Sequence, residues 1–349
     1  MKKLIQTLKQ VGKPTRIITT DDGSQILILP HGGRVLGLYS SGSDENFYWT
    51  HTALASADTA KAFYASKTWH NSGGDRTWLA PEADFFFPHF PKLDVYLQQR
   101  SLDPGDYHMV STSAGFRLEN QCRLQVARLG RSIDLKITKS FGTALNPLRH
   151  ERELTLAGIK YAGYSQLTML ELLGKSRGTK RAVGLWSLVQ MPHGGEMIFP
   201  TYGRTKPLHI FSTLGRIPSH DLLTTEKGVF YRMTQKGEHK ISLRAVAICG
   251  RIGYVYQTGR EWVLIIRNFY VNPLGDYVDT PWTKPDYFGF AVQACNINSQ
   301  LGAFNELEYH IPAIGHGTGK IRCQDETQVW AFRGNLKQIR VIRQLLLGC

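Results

Sequence analysis

Along most of the chain, apolar side chains recur at every second position. Residues 132–141 show this plainly: Ile133, Leu135 and Ile137 alternate with Asp134, Lys136 and Thr138. That is the period of a half-buried strand. The pattern predicts strands over 16–20, 25–30, 34–39 and 46–50, the first two joined through Asp22-Gly23, a hairpin dipeptide. Beyond residue 90 it predicts 107–113, 115–121, 122–129, 132–141, 159–173, 183–190 and 195–200. It continues through 228–234, 240–249, 251–257, 262–271, 289–296, 304–310 and 328–333. Helical spacing is rare. Leu4, Ile5, Leu8 and Val11 predict one short helix over 2–11, ending before Pro14. Residues 53–66, rich in alanine, read as a loop with a helical turn, and 335–347 as a last helix or a closing strand.

More than a dozen strands with so few helices exclude a βαβ plan and point to one large antiparallel all-β architecture. No linker rich in Pro, Gly or Ser divides the chain, and no fixed-period repeat marks a propeller. A single domain over 1–349 is expected, with 1–14 as a short N-terminal helix or tail.

Composition narrows the classes. The 349 residues are 42% hydrophobic and 20% charged, as in a folded globular protein. The formal charge is +14. Its densest run, residues 175–181 (KSRGTKR), reads as a loop, with neither a basic helix nor zinc-ligand spacing beside it. A solvated basic surface is expected, with no nucleic-acid or membrane partner. Five widely spaced cysteines without a CxxC pair suggest free thiols in a reducing compartment. The basic start lacks the apolar core of a signal peptide, so a cytoplasmic location is expected.

The chemistry concentrates in residues 69–82, WHNSGGDRTWLAPE. His70, Asn71, Asp75, Arg76 and Glu82 crowd around Gly73-Gly74, between Trp69 and Trp78. Indole faces beside such polar groups suit a sugar, which has apolar faces and a polar rim. The competing reading is a tight turn carrying surface charge. Arg76 and Arg34 each have two readings as well. One is a fork for hydroxyls or a carboxylate; the other is a salt bridge, for Arg76 to Asp75 or Glu82. Trp69, Trp78 and Trp186 either stack on sugar faces or pack in the core. On the strand over 304–310, Phe304, Glu306, Glu308 and His310 share one face, and a cleft is expected there. Residues 84–91 (DFFFPHFP) read as a rim or lid. No HxxxH or HxH grouping indicates a metal, and Walker and GxSxG motifs are absent, so no cofactor is expected.

Three segments, in order, resemble the galactose mutarotase-like superfamily of aldose 1-epimerases, and its uncharacterised bacterial members most. They are LPHGGRVLGLY (29–39), GGDRTWLAPE (73–82) and NELEYHIPAIG (305–315). LWSLVQMPHGGEMIFP (185–200) is similar to a middle block of those bacterial relatives. The resemblance implies a β-supersandwich with few short helices and a sugar site along the second segment. It also implies a catalytic base at Glu308, with Glu306 the close second. The family's general-acid block has no clear counterpart. His70 or His193 is the expected acid, with His150 another replacement.

Three functions compete. The first is a sugar epimerase using a Glu base and a His acid. The second is a lyase or glycoside-cleaving enzyme on an acidic sugar, with Arg76 or Asn71 to neutralise the uronate and His70 or the Tyr-rich block 161–164 to supply the base. The third is a non-catalytic carbohydrate-binding domain. All three expect a sugar or oligosaccharide at a site drawn from Glu308, Glu306, His70, His193, Arg76, Asn71, Asp75, Trp78, Glu82, Arg34, Trp186 and His310.

Overall fold

In the computed structural model, residues 1–113, 115–151, 157–213 and 217–349 are described. Helix α1 (Lys2–Gln10) precedes the hairpin β1 (Arg16–Thr19) and β2 (Gln25–Leu29), then β3 (Arg34–Tyr39). Helix α2 (Ala57–Ala65), β4 (Asp75–Ala80) and the single-turn α3 (Glu82–Phe85) follow. Next come β5 (His108–Thr112), β6 (Gly115–Val126), β7 (Arg131–Thr143), β8 (Lys160–Leu172), β9 (Ala182–Pro192) and β10 (Glu196–Pro200). The middle continues with β11 (Leu208–Ser212), β12 (Leu222–Thr224), β13 (Gly228–Arg232), β14 (Gly237–Arg244), β15 (Arg251–Thr258) and β16 (Glu261–Asn268). The chain ends with β17 (Phe290–Ser299), β18 (Gly302–His310), β19 (Ile314–Gly315), β20 (Arg322–Gly334) and α4 (Leu336–Leu347).

These strands make two ten-stranded antiparallel sheets, the large all-β sandwich expected from the strand periodicity. One runs β1-β2-β3-β4-β9-β18-β17-β14-β11, with β19 beside β9. The other runs β12-β13-β10-β15-β16-β20-β8-β7-β6-β5. The core between them also holds charge. Arg267 of β16 reaches across to Asp75 of β4, at 2.5 Å and 3.2 Å. Helix α4 covers the outer face of the second sheet, where Ile339 and Ile342 pack on Leu264, Ile266 and Phe332. Helices α1 and α2 cover the outer face of β2 and β3 through Leu8, Leu27, Leu29 and Leu36. Among the described residues no helix is long and apolar enough to cross a membrane.

Several local expectations change. Residues 46–50 form no strand, because Asn46 itself ties down the β3 backbone. Its Oδ1 accepts from the Leu38 and Tyr48 amides, and its Nδ2 donates to the Leu36 carbonyl. The pieces 115–121 and 122–129 are one long strand, β6, followed by a short 3-10 turn. Residues 53–66 hold the nine-residue helix α2 rather than one turn, started by Ser56, whose hydroxyl accepts from the Thr59 amide. Strands β11, β12 and β19 lack an alternating signal long enough to read.

Candidate functional site

The glycine pair delivers the chain into the first sheet. Gly73 and Gly74 have φ of +98° and +75°, and an added Cβ would lie 2.3 Å from the Trp49 carbonyl oxygen and 2.2 Å from that of Val35. The segment that also read as a tight turn therefore continues as the central strand β4. Alternation then splits its side chains. Asp75 and Thr77 face the second sheet; Arg76 and Trp78 face outward. Cross-strand register extends the outward rows. Arg76 stands opposite Leu188, and Leu188 opposite Glu308. Trp78, Trp186 and His310 form the next row. Gln190, Glu306, Cys295 and Lys240 form the row on the other side.

This face is the floor of a cavity of about 510 Å³, roofed by the segment after α3 and by the loop carrying Trp282. Trp69, Trp78, Trp186 and Trp282 line it, with Arg76, Glu82, Glu238, Lys240 and Glu306 as its charges. Arg76 is stacked on two indoles, its guanidinium carbon 4.2 Å from the Trp78 ring centre and 4.9 Å from that of Trp69. Its Nη2 donates to Glu306 Oε1 at 2.8 Å, and Gln190 Nε2 donates to the same oxygen at 3.0 Å. No hydrogen bond among the described residues reaches Glu306 Oε2. The carboxylate is thus held by one oxygen, with the other left for the cavity.

Asp103, which no motif announces, fixes the aromatic wall. Its carboxylate accepts from the indole N–H of Trp69 and of Trp78, each at 2.8 Å, and from Arg34 Nη2 at 2.9 Å and 3.0 Å. Burial alone would push this carboxyl up. Arg34, then Arg76 and the two indoles, outweigh it and hold it below the ordinary aspartate range.

A second charged layer lies beside it. Lys240 Nζ is 3.1 Å from Glu308 Oε2, 3.7 Å from Glu82 Oε2 and 4.1 Å from the Trp186 ring centre. Burial opposes its charge, but Glu308 and Glu82 prevail and Lys240 stays protonated. Trp186 Nε1 donates to Glu308 at 2.8 Å. Burial pushes the Glu308 carboxyl up to about 8 against the pull of Lys240, and Glu306 adds to the rise. Tyr96 and Trp282 donate to the two oxygens of Glu82 at 2.6 Å and 2.8 Å. His310 is buried, stacked at 5.4 Å on Trp186, and kept neutral by that burial.

The remaining expected residues lie elsewhere. Asp75 faces the sandwich interior, where it accepts from Tyr164 and Arg267. Arg34 is buried on Asp103 and the Gly73 carbonyl, outside the cavity lining. Arg76 pairs with Glu306, not with Asp75 or Glu82. His70 is held by Arg100 Nη1 at 3.1 Å and by the Ser66 carbonyl at 3.1 Å, in an aromatic cluster with His31 and Tyr64. Asn71 is buried beside it. His193 has its Nε2 3.1 Å from Asn296 Oδ1 at the end of β9. Neither His70 nor His193 lines the cavity, and Glu308 lies beneath the floor, fully buried. The strand alternation that puts Glu306 and Glu308 on one face thus leaves Glu306 as the carboxylate the cavity reaches.

Cys295, Glu306 and Glu308 bring donor atoms within 4.8 Å of one another, the one such group among the described residues. Arg76 and Lys240 already neutralise its two carboxylates, so a metal ion there would face two cations. Sequence reasoning missed Asp103, Lys240 and Trp282. Lys240 had a faint signal, a cation between otherwise buried positions of β14.

The model of a family described as a family of unknown function (DUF6786) matches residues 2–349. No curated protein matches the chain. Among solved structures, it is similar to the Slr1438 protein from Synechocystis sp. PCC 6803, with 10% identity and a TM-score of 0.49 over 92% of this chain and 95% of that one. It is also similar to galactose 1-epimerase from Lactobacillus acidophilus NCFM, with 10% identity and a TM-score of 0.43 over 92% and 94%.

Proposed function

The chain belongs to the DUF6786 family, and we propose that it is a carbohydrate-active protein whose cavity holds a saccharide against Glu306. One observation carries this reading: a carboxylate pinned by one oxygen and open at the other, in a cavity walled by four tryptophans. Indole faces match the C–H faces of a sugar ring, while Glu306, Glu82, Arg76 and Lys240 match its hydroxyl rim. The cavity volume lies in the range of small-molecule sites.

The finer reading is an aldose epimerase-like isomerase. Glu306 takes the proton of the anomeric hydroxyl. The bond from the anomeric carbon to the ring oxygen breaks, and the ring oxygen receives a proton. Re-addition of that hydroxyl to the other face of the open-chain carbonyl, its proton returning to the donor while Glu306 gives its proton back to the carbonyl oxygen, inverts the anomer and restores both groups. Lys240 is the cationic donor for the ring oxygen, in the place where a histidine was expected. A lyase acting on an acidic sugar has less support, because Arg76, the guanidinium expected at the uronate, is paired with Glu306.

Anomer exchange of glucose and galactose followed by proton NMR, with tryptophan fluorescence as the binding readout, tests this. Glu306→Gln should slow exchange by at least about 100-fold while the fluorescence response to sugar persists. Binding without exchange in the unmodified protein identifies a binding module. A fluorescence signal that no saccharide moves removes the carbohydrate reading altogether.

A further inference from the structure

A second cavity, of about 430 Å³, lies on the other side of α3. Glu82 of that helix lines the first cavity, and Asp84, two residues on, lines the second. The basic run 175–181, which the saccharide site leaves unused, ends on its wall with Lys180 and Arg181. Arg128 completes the charged part and His316 adds a polar edge, while Tyr277 and Phe288 supply an apolar side.

Asp84 is buried and already neutralised. Arg128 Nε and Nη2 donate to its two oxygens at 2.7 Å and 3.0 Å, and Arg181 Nε lies 3.5 Å away. This pairing orients both guanidiniums and leaves the Arg181 Nη donors unused among the described residues. Lys180 and His316 have no side-chain partner there either. Asp276 at the exposed rim is the other carboxylate, so three permanent cations face two acids, one of them already paired. Free donors fanned around an apolar wall form a receptor for an oxyanion carried on a ring or hydrocarbon body.

We propose that this second cavity binds a small organic oxyanion, its charged head on Lys180 and Arg181 and its body against Tyr277 and Phe288. The site is separate from the saccharide cavity and does not depend on that reading.

Calorimetry at physiological ionic strength tests it with four probes: phenyl phosphate, phenyl sulfate, benzoate and inorganic phosphate. At least one phenyl probe should bind saturably, and at least tenfold more tightly than inorganic phosphate, because the apolar wall adds to the charge. Comparison of the three phenyl probes identifies the head group. The Lys180→Gln/Arg181→Gln variant should weaken that binding tenfold or more. The Lys175→Gln/Arg177→Gln variant removes equal charge from the same loop outside the cavity, and should leave it within twofold. Equal weakening by both variants means diffuse attraction to a basic surface and overturns the proposal. So does no saturable binding, or inorganic phosphate binding as tightly as every phenyl probe. Unchanged thermal unfolding of both variants shows that the comparison reads binding rather than folding.

Discussion

Asp103 shows how one side chain sets the geometry of a wall. It accepts from two indoles and a buried guanidinium, so its charge fixes the ring planes against which Arg76 is stacked. Asp103→Asn keeps the shape but leaves Arg34 buried without a counter-charge. The expected cost is about 3–5 kcal/mol of stability. The linkage has a definite sign. A carboxyl held low in the fold contributes stability above its unfolded pKa and loses it as pH falls through the lowered folded value. The gap between wild type and Asp103→Asn should therefore narrow on acidification in denaturant titrations. A gap that stays constant down to acid pH would show that the charge is not what matters.

At the scale of an element, β4 is aimed by the turn before it. Gly74 combines a positive φ with a carbonyl 2.2 Å from where a Cβ would sit, so Gly74→Ala meets both strain and a clash with Val35. Gly12 has φ of +70° but nothing within 4 Å. Gly12→Ala should cost only the left-handed penalty, about 1–2 kcal/mol. Gly74→Ala should exceed it by at least about 2 kcal/mol and weaken saccharide binding, because Arg76 and Trp78 follow directly. Chemical denaturation of the two variants side by side decides this; equal losses would mean that the turn yields without moving β4.

At the scale of the whole molecule, the two sheets enclose charges as well as apolar side chains. Lys139 continues the inward row of Ile133, Leu135 and Ile137, and donates from Nζ to the Gly33 carbonyl at 2.6 Å. Burial pushes its pKa down to about 8, with Asp75 opposing the shift and Arg267 and Arg34 adding to it. Between about pH 8 and the ordinary value of 10.5, the unfolded chain binds a proton that the fold gives up, so stability rises with pH. Below about pH 8 the full penalty applies. Lys139→Met should therefore be more stable than wild type at pH 7, by on the order of 3 kcal/mol, with the advantage gone near pH 10.5. Urea melts at pH 7 and pH 10 check it. A methionine variant weaker than wild type at pH 7 would show that the bond to Gly33 outweighs burial of the charge.

Much of the fold was legible because strand period is a local property. Alternation at 132–141 or 304–310 reports burial of one face whatever the partner strand is. It also put Phe304, Glu306, Glu308 and His310 on one side before any pairing was known. Helix α4 was legible only in part: its spacing left a last helix or a closing strand open, and the structure makes it the helix. Depth and partnership were not legible. Glu306 and Glu308 are equivalent in the sequence. Only the strand order, with β9 and β17 flanking β18 and β14 beyond β17, buries Glu308 under Lys240 and Trp186, and leaves Glu306 at the surface of the cavity. Arg76 had charged neighbours at Asp75 and Glu82, yet pairs with a residue 230 positions away. Asp75, one residue earlier, turns to Arg267 in the other sheet. The sequence determined which side chains share a face, since that depends on backbone period alone. The tertiary structure decided which of them meet and which reach solvent, because those follow from strand order and from loops such as the one carrying Asp103.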